Sequence, residues 1–261
     1  MSEFAAIDLR GIRVLNPRPQ PQAAKLSRMI HQAGGIAIEF PTLEIHPLAT
    51  DWIQQLPDLF SLQFALFVSA NAVLHFFRGL QQHHLNWPAH IRIFAIGKGT
   101  ACALKKEGIY TMVTPAFADS EHMLAVTELQ NIHGQKGMLI SGERSRPLLA
   151  TTLTQRGANM CQLAVYRRSL PKKNLPLSHA LWQDDAVDII LMMSQEGMEN
   201  LFVLFEEEAR AWLQSKPWIV ISPRLVAIAR QLQIKHVISS SYTELLTTLM
   251  ELTHDYGRNP H

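Results

Sequence analysis

Six short segments carry the residue types from which a site for a large anion could be made. They are Arg18-Pro19, Ser69-Ala70-Asn71-Ala72, Gly97-Lys98-Gly99-Thr100, Ser141 to Arg144, Ser194 to Gly197 and Ser222-Pro223-Arg224. In open α/β sheets ligands bind outside the carboxyl ends of the strands, where loops run into helix N-termini with unpaired N–H groups. A carboxylate there gains about 0.3 to 1 kcal/mol from the helix dipole before hydrogen bonds are counted. Loops of this kind read as the lining of a cleft between two lobes, for a ligand with several carboxylates rather than a single phosphate. The candidate binding residues are Arg18, Ser69, Ala70, Asn71, Gly97, Lys98, Thr100, Ser194, Ser222 and Arg224. Serine at positions 69, 120, 194 and 222 is explained equally by helix N-capping, and that reading stands beside the first. Tyr166 is the candidate acid. A β-former is expected at its place near the end of an extended stretch in any case. A phenol is nevertheless protonated near neutrality and can give a proton to a leaving hydroxide. A position between lobes would make it accessible.

Other chemistries fit the sequence less well. Gly97-Lys98-Gly99-Thr100 has its lysine between the glycines and lacks the upstream glycine of a phosphate loop, and no G-x-G-x-x-G occurs, so no nucleotide is expected. His83 and His84 are adjacent on a helix and cannot face one metal as an i, i+4 pair does. Neither a metal nor a cofactor is expected. Glu206 to Glu208 reads as a solvated helix face. Cys102 and Cys161 fall inside a helix and a strand without zinc or redox signatures, and are expected to pack in the core.

The elements that must position these loops repeat along the chain. Phe64 to Ser69, before a helix-like Asn71 to His84, is matched by Ile189 to Ser194, before a helix-like Glu196 to Glu206, an offset of 125 residues (69 to 194). Ile93 to Gly97 and Ile219 to Ser222 keep the offset of 125 (97 to 222). A looser pair sets Val14-Leu15 against Leu139-Ile140, each followed by an Arg-bearing loop and a helix closing near Gly34 or Gly157. Such repeats imply two similar α/β lobes with doubly wound parallel sheets. Thr42 to His46 and Gln162 to Ser169, both bounded by proline, read as extended connectors. They place one discontinuous lobe at 1–39 with 171–261, a second at 47–162, and connectors at 40–46 and 163–170. The helix over Gln20 to Ala33 turns Ala23, Leu26, Met29 and Ile30 inward. Ser241 to Glu244 fits a capping box, and Pro147 the first turn of a helix.

At 261 residues and 47% hydrophobic content the chain can bury a core in each lobe. Its apolar runs are strand-sized, far below the ~20 residues of a membrane helix, and its N-terminus lacks an apolar signal core, so a cytoplasmic protein without a membrane partner is expected. The 24 basic and 22 acidic residues are dispersed, which leaves no footprint for nucleic acid.

Taken in order, several fragments resemble the uroporphyrinogen-III synthase family. They are Val14 to Pro19 with Gln22, Ala23 and Leu26; Phe67 to Val73; Ala95 to Ala101 through Gly108; Ser120-Glu121 with Leu124; Leu139 to Arg146 with Leu149, Leu153, Gly157 and Ala158; and Val165 to Arg167. The last third of the chain matches mainly as strand and helix pattern. The resemblance implies two α/β lobes joined by a two-stranded β ladder, and a cofactor-free lyase that cyclises hydroxymethylbilane to uroporphyrinogen III. In that reaction water is lost, a spiro intermediate forms at ring D, and the macrocycle closes with ring D inverted. Because the free bilane cyclises unaided to the unflipped isomer, positioning should outweigh acid catalysis. Tyr166 matches the family tyrosine suggested to assist water loss, and the serine and glycine loops would bind acetates and propionates. Transient contacts with neighbouring pathway enzymes are the expected macromolecular partnership.

Three departures stand out. Pro17 occupies the place of a family threonine, Val68 stands where a threonine often precedes the serine, and Ser222-Pro223-Arg224-Leu225 replaces a Gly-Pro-x-Thr pattern. The lost hydroxyls keep open a second reading, a non-catalytic tetrapyrrole-binding or regulatory protein of the same fold. A glycosyl- or nucleotide-transferring enzyme with two α/β lobes is a third, set back by the missing phosphate loop and carboxylate pair.

Overall fold

A computed structural model describes residues 7–20 and 22–256. Pro21 in the expected first helix, and the ends 1–6 and 257–261 of the expected first lobe, lie outside the described residues. In chain order the elements begin with β1 (Arg13–Asn16), α1 (Gln22–Gln32), β2 (Ile36–Glu39), β3 (Glu44–Pro47), β4 (Phe64–Phe67), α2 (Ala70–Gln82) and β5 (Arg92–Ala95). There follow α3 (Lys98–Lys106), α4 (Ser120–Leu124), β6 (Lys136–Gly142), α5 (Leu148–Gln155), β7 (Asn159–Ser169), α6 (Leu175–Gln183) and β8 (Ile189–Met192). The chain closes with α7 (Gln195–Phe205), α8 (Arg210–Ser215), β9 (Pro217–Val220), α9 (Pro223–Gln231), β10 (His236–Ser239) and α10 (Leu245–Tyr256).

The chain divides into two compact units, one built from the residues up to Glu44 and again from Ser169 onward, the other from Ile45 to Arg168. Each carries a doubly wound sheet. The first has the order β10-β9-β8-β1-β2, with every pair parallel. The second has the order β3-β7-β6-β4-β5, in which β4, β5, β6 and β7 are parallel. β3 is the edge strand beside β7, where the Leu48 amide donates to the Val165 carbonyl at 3.1 Å.

Sheets covered on both faces need strands that are apolar on both faces, and β4, β8 and β9 are buried at every position. Alternate residues feed two cores. Ile190 and Met192 join Trp218 and Val220 on one face of the first sheet, while Ile189 and Leu191 join Ile219 and Val14 on the other. In the second sheet Ala65, Phe67, Met138 and Ile140 divide in the same way from Phe64, Leu66 and Leu139.

The 125-residue offset holds for β4 and β8 and for the starts of α2 and α7. It also holds over the full length of α3 and α9 (98–106 against 223–231). The looser pair is corrected by strand register. Ile189 lies opposite Val14 and its counterpart Phe64 opposite Gly137, so β1 and β6 are related by 123 residues (14 to 137). A slip of two leaves every side chain on the same face, which is why both alignments satisfy the apolar pattern.

Other expectations shift locally. In α1 the buried set is Ala23, Leu26, Ser27 and Ile30, with Met29 only half-buried. Ser27 is drawn inward by the buried amide of Asn16, which donates to its Oγ at 3.0 Å. Cys102 is exposed, because α3 turns Thr100 and Leu104 to the core, and Cys161 is half-buried with its thiol pKa pushed up by burial. Glu206 ends α7 and pairs with Lys173 at 2.9 Å, and Glu207 pairs with Arg210, so the acidic run is a paired loop rather than a helix face. The Glu244 amide donates to Ser241 Oγ at 3.2 Å ahead of α10, and Pro147 stands one residue before α5, at its N-cap position and without a side-chain cap. Among the described residues no helix is long and apolar enough to cross a membrane.

One contact tests the packing of the second sheet. A Cβ at Gly137 would lie 2.1 to 2.6 Å from three ring atoms of the fully buried Phe64. Gly137→Ala should therefore destabilise by about 1–3 kcal/mol, as overpacked cores do. Urea unfolding should show a lower midpoint for it, whereas Gly99→Ala, with open space around the added methyl, should not lower the midpoint.

Candidate functional site

Strand order reverses once in a doubly wound sheet, and the loops on either side of that point leave toward opposite faces, opening a crevice at the carboxyl ends of the strands. The reversal lies between β1 and β8 in the first sheet and between β4 and β6 in the second. Each unit thus has its own candidate site, built from residues of that unit.

In the second unit, Ser69 leaves β4 in an extended conformation and caps α2, its Oγ accepting the Ala72 amide at 3.0 Å. The Tyr166 hydroxyl lies 3.1 Å from the same Oγ, and Arg168 Nη2 donates to the phenol at 3.4 Å. Tyr166 differs from the accessible residue expected of it. It is 2% exposed and packs in the core with Ala72, Val73 and Phe76. Its ring stacks on His75 with 5.9 Å between centroids. Ser69 is only half-buried, as are Ala70 and Asn71 in the first turn of α2. At the end of β5, Gly97 caps α3 with an extended backbone that any residue could adopt. Glycine is needed there because a Cβ would meet the Ala118 Cβ at 2.6 Å. Lys98 is exposed, but Thr100 turns into the core and is 4% exposed.

In the first unit, the Arg18 guanidinium lies over the Tyr242 ring at 5.6 Å. Asn16, fully buried, shapes the loop before it. Its Nδ2 donates to the Ala23 carbonyl and Ser27 Oγ, and its Oδ1 accepts the Arg18 amide at 3.3 Å. Pro17 is buried, and its carbonyl accepts both the amide and the hydroxyl of Thr42. Thr42 in turn offers its carbonyl to Asn200 Nδ2 at 2.9 Å. Ser194 caps α7 by accepting the Gly197 amide at 3.0 Å, and Ser222 caps α9 by accepting the Leu225 amide at 3.4 Å. Arg224 reaches Gln195, next to Ser194, with an Nη2–Oε1 distance of 3.0 Å. Ser120 is not a cap; Asp119, one residue earlier, accepts the His122 amide.

A family model described as uroporphyrinogen-III synthase HemD matches residues 24–245. The chain belongs to the uroporphyrinogen-III synthase family. It is 32% identical over 226 residues to uroporphyrinogen-III synthase of Salmonella typhimurium, covering 84% of this chain and 91% of that protein. It is also 32% identical over 230 residues to that of Escherichia coli, with the same two coverages, 84% and 91%. A mutant uroporphyrinogen III synthase from the extremely thermophilic bacterium Thermus thermophilus shares the fold, with a TM-score of 0.65 at 18% identity over 94% of this chain and 98% of that one.

Within this uroporphyrinogen-III synthase family member the two threonine departures have physical accounts. Pro17 is a buried loop residue tied down by Thr42, and Val68 packs against the core that contains Phe64 and Leu149. Sequence reasoning missed Asn16, Thr42, His75 and Tyr242, and it included Gly142 in the Ser141 to Arg144 loop without giving it a role of its own. The only signal for Asn16 was a polar residue closing an apolar strand. A cavity of about 580 Å³ opens elsewhere on the second unit, between Asp58, Lys136, Asn159 and Cys161, and holds none of the candidates.

His75 is 9% exposed, and its Nδ1 is buried without a hydrogen-bond partner. Burial, with a smaller push from Arg78, lowers its pKa below the usual imidazole value. The folded protein therefore resists a proton that the unfolded chain accepts. Stability from the neutral ring is complete above pH ~6.5 and falls as the pH drops below it toward the depressed value. Urea midpoints between pH 7 and 5 should fall more steeply for the natural protein than for His75→Phe; parallel slopes would show that His75 does not titrate in this way.

Proposed function

We propose that the chain closes hydroxymethylbilane to uroporphyrinogen III, with loss of water and inversion of ring D. The observation that carries the reading is the Ser69–Tyr166 hydroxyl pair at the strand reversal of a family member. A serine hydroxyl has two acceptor sites and one donor. The Ser69 oxygen accepts the Ala72 amide and lies 3.1 Å from the Tyr166 hydroxyl; in this reading the phenol is the donor of that pair, and the half-buried Ser69 directs its own O–H at a ligand. In this reading Ser69 gives a proton to the departing hydroxyl and Tyr166 resupplies it.

The electron pair that expels the oxygen comes from the bilane's own pyrrole nitrogen, and the lent proton is replaced when the last pyrrole ring loses its own. Carbon oxidation states do not change overall. The reaction therefore needs no redox or group-carrying cofactor, and we read the enzyme as cofactor-free. Its harder task is regiochemical. The substituted carbon of ring D must be held against the azafulvene, and orientation of this kind supplies most of what the free bilane lacks. Each pyrrole ring bears an acetate and a propionate. In this reading Arg18, Ser194, Ser222 and Arg224, and Ala70, Asn71, Gly97 and Lys98 at the α2 and α3 starts, hold those groups. Thr100, turned inward, supports the α3 turn.

A non-catalytic tetrapyrrole-binding protein of the same fold is the second reading, favoured by the hydroxyls absent at Pro17 and Val68. Isomer analysis separates the two. The protein is given freshly generated hydroxymethylbilane, the products are oxidised, and uroporphyrins I and III are resolved by chromatography. Predominant isomer III is expected, whereas isomer I alone, at the rate seen without protein, would leave the binding reading. Tyr166→Phe and Ser69→Ala should each slow formation of isomer III by roughly 10- to 100-fold, at or below the low end for a positioned acid, with binding retained. Unchanged rates would remove the pair from the chemistry.

A further inference from the structure

We propose that Gly142, together with the register shift beside it, is a positioning residue that aims the Tyr166 hydroxyl at Ser69. The proposal rests on the synthase reading given above. Side chains alternate between the two faces of a strand, so neighbours such as Val165 and Tyr166 should point in opposite directions. Both are buried in the same core, with Leu163, on the side of the sheet where α2 packs. The strand register explains how. β6 and β7 pair residue for residue from Lys136 with Asn159 to Ser141 with Ala164, and then Gly142 pairs with Tyr166, leaving Val165 as an extra residue. An irregularity of this kind re-aims the next side chain. Without it Tyr166 would face the opposite side of the sheet, away from α2 and its cap.

The re-aimed ring needs room, and Gly142 supplies it. A Cβ at position 142 would lie 2.8 Å from Cζ of Tyr166, 3.0 Å from Cε2 and 3.1 Å from the hydroxyl oxygen, so the glycine lies against the end of the ring that carries the hydroxyl. Gly142 does not have a left-handed backbone; only the contact requires glycine. The Glu143 amide donates to the Tyr166 carbonyl at 2.9 Å, which holds the shifted register on the far side of the pair. His75 and the Arg168 guanidinium flank the ring, at 5.9 Å between centroids and 6.0 Å from the ring centre. A methyl at 142 would push the hydroxyl off Ser69 while leaving both hydroxyls in the molecule.

The test is a cycle of Gly142→Ala and Tyr166→Phe, read as kcat, KM and isomer ratio, after isomer III has been measured for the natural protein. Gly142→Ala should lower kcat about as far as Tyr166→Phe does, roughly 10-fold or more, with KM within about 2-fold. Added to Tyr166→Phe it should lower kcat by no more than about 2-fold further, since groups acting as one unit are not additive. An unchanged kcat in Gly142→Ala, or an equal loss in both backgrounds, overturns the proposal and leaves the synthase reading in place. Absence of isomer III from the natural protein overturns the synthase reading and this role with it. If Gly142→Ala does not fold, the variant that also carries Tyr166→Leu lacks the obstructing ring end and should fold as stably as Tyr166→Leu alone. Failure of that rescue shows that Gly142 does not accommodate the tyrosine.

Discussion

Parallel strand pairing governs the rest of each unit. Parallel neighbours cannot be joined by a hairpin, so each strand feeds a crossover, and the crossovers within one sheet leave from the same edge. Helices then cover both faces, which is why β4, β8 and β9 are continuous apolar runs rather than alternating ones. The same constraint collects the serines. Ser69, Ser194 and Ser222 stand where a strand has ended and the first amides of the following helix have no acceptor within the helix itself, and each serine accepts one of them. Loss of such a cap costs roughly 0.5–2 kcal/mol. A capping serine is therefore kept by the fold, and accepting a helix amide uses its oxygen without using its O–H as donor. Structural and ligand-binding roles for these residues are not rivals.

What could be read from the sequence followed from this economy of form. Repeated apolar runs and cap residues gave the repeat offset, the two α/β lobes and the positions of most candidate loops. The structure added details that leave weak traces in a sequence. A two-residue slip between β1 and β6 preserves side-chain facing, so pattern alone cannot resolve it. Asn16, Ser27 and Thr42 look like surface residues but are buried, because each satisfies another buried polar group. Tyr166 could be picked out by type and position, but not its burial. An extra residue in one strand changes which face the tyrosine occupies, and a one-residue irregularity is invisible to an alternating pattern.

The repeat is also less complete in one copy than in the other. In the first sheet Ile219 pairs with Ile238 of β10, and in the second the corresponding residues Phe94 and Val113 form a single bridge, each pair related by 125 positions (94 to 219, 113 to 238). Val113 still exchanges two backbone hydrogen bonds, its amide donating to Ile93 and its carbonyl accepting from Ala95, both at 2.9 Å. One edge of the second sheet has thus shrunk to a residue, while β3 extends the other edge. The shrunken edge lies beside β5, whereas β3 lies directly beside β7, the strand that carries Tyr166.

The first sheet has a further property, one of timing. β1 is flanked by β2 and β8, and at the start of β1 Arg13 holds Asp188 through its backbone amide at 2.8 Å and its Nε at 3.0 Å, a contact spanning 175 residues. On a ribosome adding about 5–20 residues per second, the interval between synthesis of Asn16 and of Ile189 is roughly 9 to 35 s. Throughout that interval β1 has an open hydrogen-bonding edge and an apolar face, the combination that invites pairing with other chains. The residues from Ile45 to Arg168, by contrast, emerge as one uninterrupted stretch that contains every strand of its own sheet except the first residue of β3 and the last of β7. The edge of β1 that receives β8 is therefore left open for most of the synthesis of the chain between them.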